Sequence, residues 1–183
     1  GGITALHEAC RTGQTETAQL IIQLSKDFGI DLNAKDGDGC TALHLACDNG
    51  KTETAQLIIQ SSKDFGIDLN AKDDGGGTAW HDACLYGKTE TAQLIIHSSK
   101  DFGIDLNAKD NNGRTAFHES CCYGKTEVVQ MILKHWKEFG INIQAQDNEG
   151  KTALDHINEE EDEEFHQIKE MLEKEYSQID VTE

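Results

Sequence analysis

The stretch Asp36-Gly37-Asp38-Gly39-Cys40-Thr41-Ala42-Leu43-His44-Leu45-Ala46-Cys47-Asp48-Asn49-Gly50 decides the fold, because the chain keeps returning to it. Its centre, Thr41-Ala42-Leu43-His44, is preceded by Thr4-Ala5-Leu6-His7. It is followed by Thr78-Ala79-Trp80-His81 and Thr115-Ala116-Phe117-His118, and it fades into Thr152-Ala153-Leu154-Asp155. Each step is 37 residues (78 − 41 = 37). A second phrase, Leu32-Asn33-Ala34-Lys35-Asp36, restarts at Leu69 and Leu106 and decays to Ile143-Gln144-Ala145-Gln146-Asp147. Residues 41–77 and 78–114 agree at 29 of 37 positions. Self-similarity of this strength implies a linear stack of units instead of one globular core.

Within a unit, Thr41 opens a short helix from Ala42 to about Asn49, with Leu43, Ala46 and Cys47 on its apolar face. Gly50 ends it, and Thr52 is expected to cap a second helix with Glu53 in its first turn. Ala55, Ile58, Ile59 and Phe65 make the buried stripe of that helix, widened by Leu57, and Gly66 stops it. Residues 67–71 read as extended, and Asp73-Asp74-Gly75-Gly76-Gly77 reads as a turn tip. No unit can bury its apolar face alone, so stacking creates the core.

These residues resemble the ankyrin repeat, whose pattern D-x-x-G-x-T-P-L-H-x-A-x-x-x-G is followed almost throughout Asp36–Gly50. The resemblance extends over residues 2–172. Two features depart from it. Alanine replaces the family's proline after each threonine, and the period is longer than the family's usual value of about 33 residues. The surplus lies in Gln60-Ser61-Ser62-Lys63-Asp64-Phe65 and adds about one helical turn, roughly 6 Å. Phe28, Phe65, Phe102 and Phe139 are expected to form a column pinning that turn to its neighbours.

The resemblance implies an all-α repeat solenoid, a right-handed stack of helix-turn-helix units joined by hairpin-like loops. A single domain over 1–183 is expected, with units at about 2–36, 37–73, 74–110 and 111–147, a closing unit at 148–176 and an acidic tail to 183. Phe165, Ile168 and Leu172 form one apolar stripe in the closing segment. Its remainder is acidic: residues 155–183 carry twelve acids against two lysines, a net of −10. Glu159 to Glu164 read as a solvated cap face, with a partner-binding patch as the rival reading. Gly2 already sits inside a turn motif with no capping unit before it, so an upstream repeat or a cut boundary is expected.

The formal charge is 16 − 34 = −18, a field that repels nucleic acid and anionic membranes. No apolar run of about 18 residues is present to span a bilayer. The opening Gly1-Gly2 shows no signal peptide. Six thiols with no proposed bridge favour a reducing compartment, the cytoplasm or the nucleus.

Three kinds of chemistry can be weighed in the residues. Cys10, Cys47, Cys84 and Cys121 each follow a histidine by three, as two soft ligands on a helix face could. Both columns repeat with the stack, however, and units about 10 Å apart cannot share one ion. The resemblance implies a small packing residue and an imidazole bonded beneath the hairpin at these places. Cys40 and Cys122 fall outside the column and are expected to be the exposed thiols. Asp31 to Asp36 begins like a calcium loop but fails at Lys35 and Asp36. The aspartates at 36, 73, 110 and 147 read as turn-initiating groups. No nucleophile elbow, phosphate loop or zinc-protease signature occurs, so no cofactor and no enzymatic activity are expected.

What varies among near-identical copies is informative. One varying set is Glu8, Leu45, Asp82 and Glu119. A second is Arg11-Thr12, Asp48-Asn49, Leu85-Tyr86 and Cys122-Tyr123. A third lies at the turn tips and includes Asp38, Asn112 and Arg114. Together they are expected to line one concave surface, which the resemblance implies grips a protein or peptide partner. Leu85, Tyr86 and Tyr123 are the expected anchors, with Arg11, Thr12, Asp38, Asp48, Asn49, Asn112 and Arg114 around them. Trp80 and Phe117 sit in the leucine column and read as core. The resemblance also places Asn33, Asn70 and Asn107 where repeat asparagines are hydroxylated, although bonding to the hairpin backbone reads better. The reading is a monomeric, non-enzymatic interaction scaffold. An engineered binder of the same type, a spacer array and a metal-dependent enzyme are the rivals.

Overall fold

A computed structural model describes residues 2–157 and 163–179. Two rows of helices run along the stack. The short row holds α1 (Ala5–Thr12), α3 (Ala42–Asp48), α5 (Ala79–Leu85), α7 (Ala116–Cys122) and α9 (Ala153–Ile157). The long row holds α2 (Thr15–Phe28), α4 (Thr52–Phe65), α6 (Thr89–Phe102), α8 (Thr126–Phe139) and α10 (Glu163–Ile179). Each helix packs on its own unit's partner and on the equivalent helix of the next unit, so both rows advance in sequence order. Among the described residues there is no strand beyond an isolated bridge between Lys109 and Thr115. The acidic patch expected over Glu159–Glu164 and the tail to 183 fall largely outside the described residues.

The short helices start on a reciprocal threonine–histidine cap. In α3, the Thr41 amide donates to His44 Nδ1 at 3.1 Å, and the Thr41 hydroxyl meets the same nitrogen at 2.8 Å. An Nδ1 that accepts places the proton on Nε2, and Nε2 then donates to the Gly77 carbonyl of the next hairpin at 3.3 Å. His7, His81 and His118 make the equivalent bonds to the carbonyls of Cys40, Arg114 and Lys151. The histidine column is therefore a set of links between successive units, as expected. Burial holds the His44, His81 and His118 imidazoles below their ordinary pKa.

The long helices start differently, and the expectation for Thr52 is corrected here. Thr52 is the first helical residue, and Lys51 precedes it as a cap that makes no side-chain bond. The Thr52 hydroxyl instead pairs with Thr91 Oγ1 of the next unit at 2.7 Å, as Thr15 pairs with Thr54 at 2.8 Å. The partner lies 39 residues ahead (91 − 52 = 39), beyond any local pattern. Val128 stands at the corresponding place for Thr89, whose buried hydroxyl has no partner.

The core runs unbroken through the stack and contains Trp80 and Phe117, each 1% exposed. The phenylalanine column is built by lysines. Lys26, Lys63 and Lys100 lie 4.8, 4.9 and 4.6 Å from the ring centres of Phe65, Phe102 and Phe139. Phe28 departs from this and is exposed. In the closing unit Ile168 and Leu172 are fully buried. Asp155 replaces the histidine of the cap and accepts from the Thr152 amide at 2.8 Å.

Candidate functional site

The hairpin tips are held by the aspartate column. Asp110 Oδ1 accepts from the Asn112 and Arg114 amides at 2.9 and 2.8 Å, and Asp36 and Asp147 each bind two backbone amides in the same way. Successive tips are joined by their backbones: the Asp38 carbonyl accepts from the Asp74 amide at 3.1 Å, and the Asn112 carbonyl from the Asn148 amide at 2.9 Å. These bonds fix each tip internally and each tip to the next. Between them lies a cleft of about 210 Å³, lined among others by Asp73, Asp82, Leu85, Asp110, Asn112, Arg114, Glu119 and Tyr123.

The expected site residues divide into two kinds. Arg11 and Thr12 are exposed on α1 but bound within it: Arg11 clasps Glu8 at 3.0 and 2.6 Å, and the Thr12 hydroxyl donates to the Glu8 carbonyl at 2.7 Å. Asn49 caps α3 and donates to the Leu45 carbonyl at 2.9 Å. Asp48 is half-buried. Arg114 lies 3.8 Å from Glu119. Tyr86 and Tyr123 are the other kind. They occupy the C-cap positions of α5 and α7, and 50% and 54% of their surfaces face solvent. The cleft brings Leu85, Asn112, Arg114 and Tyr123 together. Arg11, Thr12, Asp38, Asp48, Asn49 and Tyr86 lie outside its lining.

The floor of the cleft is acidic, and this depth was not legible in the sequence. Burial, reinforced by the Asp73 and Asp48 carboxylates, pushes Asp82 up to about 8. Asp48 is raised by burial against the pull of Lys88. Glu119 is raised by burial against the pull of Arg114. Burial, then Asp48 and Asp82, also raises the Tyr86 phenol. Asp73 and Asp110 were read only as turn formers. Position 82 did carry a signal, since its column varies as Glu8, Leu45, Asp82 and Glu119, but nothing local reports how far its carboxyl is sunk.

The remaining expectations concern thiols, metal and asparagines. Cys10, Cys47, Cys84 and Cys121 are fully buried, and burial pushes the Cys10 thiol up to about 12. Cys40 and Cys122 are half-buried instead of exposed, and burial, reinforced by Asp82 of the next unit, pushes the Cys40 thiol up to about 12. Among the described residues no group of three His, Cys, Asp or Glu is arranged to hold a metal ion. Asn33, Asn70 and Asn107 bridge units with both ends of the amide. Asn33 Nδ2 donates to the Gly66 carbonyl at 2.9 Å while its Oδ1 accepts from the Asp68 amide at 2.8 Å. Asn70 and Asn107 repeat the pair on Gly103 with Asp105 and on Gly140 with Asn142.

The elements together define an all-α helical repeat solenoid with a cleft between consecutive hairpin tips. The family model for ankyrin repeats (3 copies) matches residues 6–110 and 80–181, and the chain belongs to the ankyrin-repeat family, whose members are generally protein–protein interaction modules. Comparison with curated proteins finds no match. No helix of the described residues is long and apolar enough to cross a membrane.

Proposed function

We propose that the chain is a non-enzymatic interaction scaffold that holds a protein or peptide partner in the concave groove between the hairpin tips and the short helices. One observation carries the reading. Tyr86 and Tyr123 stand half in solvent at equivalent places in consecutive units, whereas the aromatic variants of the leucine column, Trp80 and Phe117, are buried. Half-exposed aromatics with fixed backbones are suited to anchor an interface, because little ordering entropy is lost on binding. Leu85 extends the apolar patch. The Asp73 and Asp110 carboxylates along the cleft favour a partner segment that brings cationic side chains beside the Tyr123 ring, where both ionic and cation–π attraction act. Arg11, Thr12, Asp38, Asp48, Asn49, Asn112 and Arg114 form the rim. The four buried thiols support residence in a reducing compartment, the cytoplasm or the nucleus.

Affinity capture with the chain as bait identifies the partner, and titration calorimetry then compares the parent with the double variant Tyr86→Ala/Tyr123→Ala. The expected result is a loss of about tenfold or more in affinity with thermal unfolding nearly unchanged. Equal affinity of the double variant overturns the assignment of this face.

A further inference from the structure

The junction between α6 and α8 carries a pair of imidazoles that the other junctions of the long row lack. His97 and His135 meet across it with ring centres 5.1 Å apart and planes inclined at 79°. Phe139 stands edge-on to both, at 5.5 and 6.0 Å, and is itself held under Lys100 at 4.6 Å. Stacking does not call for these histidines. The two preceding junctions close with the same lysine–phenylalanine contact. There the equivalent positions hold Gln60 with Ser98 and Gln23 with Ser61 (97 − 37 = 60, 135 − 37 = 98). His97 is exposed, and the His135 side chain is 15% exposed. The Nδ1 of His135 is buried without a hydrogen-bond partner. Glu138 Oε2 stands 3.8 Å from it, beyond hydrogen-bonding reach.

We infer that His97 and His135 form a binding site for a divalent transition-metal ion of the zinc class, which ties the third unit to the fourth. The spacing carries the inference. An imidazole nitrogen lies about 1.1 Å from its ring centre and binds zinc at about 2.0–2.1 Å, so two rings sharing one ion at a tetrahedral angle have centres roughly 5 Å apart. The two rings already stand at that separation. Glu138 supplies the outer carboxylate. Facing Nδ1, it takes the N–H that a ligating imidazole turns away from its ion and leaves Nε2 of His135 to bind. Water fills the remaining positions, since no group of three ligands is assembled among the described residues. Paired imidazoles suit zinc, copper or nickel, whereas calcium and magnesium take oxygen ligands. The net charge of −18 concentrates such cations around the chain.

Zinc chloride titrated into the full chain at neutral pH, followed through the imidazole proton resonances, tests the site. The resonances of His97 and His135 are expected to move together and to saturate at one ion per chain. His97→Gln and His135→Ser each restore the residue of the preceding unit. Each should weaken zinc binding about tenfold or more, because two ligands on one frame hold an ion far more tightly than either alone. Thermal unfolding without metal checks that both variants fold, and zinc should raise the midpoint of the parent but not of the variants. Movement of only one of the two imidazoles, or an unchanged zinc affinity in either variant, overturns the inference. So does a response confined to His166, whose exposed ring lies 3.4 Å from Glu170.

Discussion

The short and the long helices repeat with one period but are held by different means. Each of the first four short helices closes its own start with a threonine–histidine cap and sends the imidazole on to the next hairpin. The long helices α2, α4, α6 and α8 have no side-chain cap, and α2 and α4 instead join a hydroxyl of the next unit. The short row is therefore specified within seven or eight residues, while the long row is specified only by the stack. The consequence for function is direct. A row that fixes itself locally can tolerate change at its free ends, and Asp48-Asn49, Leu85-Tyr86 and Cys122-Tyr123 are those ends.

The largest expected effect lies in the short row. Trp80→Ala removes a fully buried ring and the 3.2 Å bond from its indole to the Leu106 carbonyl, and should cost about 3–5 kcal/mol. Urea unfolding measures it. A cost near that of a surface change would mean that the short row is not the rigid side of the comparison.

The next effect depends on pH. Asp82 is raised from 3.8 to about 8 by burial and by its carboxylate neighbours. A raised folded-state value means that the stability it contributes is full below 3.8 and is lost as pH rises through about 8. Asp82→Asn should therefore gain about 1–3 kcal/mol over the parent at pH 8.5 and nothing near pH 4. The imidazoles act in the opposite sense. The lowered values of His44, His81 and His118 take stability away as pH falls below 6.5. Thermal unfolding at both ends of the range separates the two, and a pH-independent gain for the asparagine variant would contradict the account of the floor.

The smallest effect sharpens the reading of the long row. The unpartnered Thr89 hydroxyl faces Val128 in the pattern that pairs Thr52 with Thr91. Val128→Thr should complete the pair and Thr89→Val should remove the need for it, each stabilising by about 1 kcal/mol. No gain from either would show that these hydroxyls do not hold the long helices.

How much was legible follows from where each bond is closed. Helix order, the Trp80 and Phe117 core and the turn-forming aspartates were all readable, because each repeats at a fixed spacing; the asparagines were read as bonding the hairpin backbone, and their bridges to the next unit were not. Thr52 was misread because its hydroxyl is committed to a residue in the next unit. Phe28 was misread because its column is built by lysines from the preceding unit. The acidic depth of the cleft was hidden because burial of Asp82 and Glu119 is decided by two hairpins and two helices at once. The exposure of Tyr86 and Tyr123 was readable as deviation from a repeated framework; the chemistry beneath them was not.

The asparagine bridges have one further consequence. Each spends a donor and an acceptor on the same neighbour, so a unit can neither slip along the next nor swing away from it without parting both bonds together. The stack then responds to tension as a zip fastener whose teeth recur at the first three junctions.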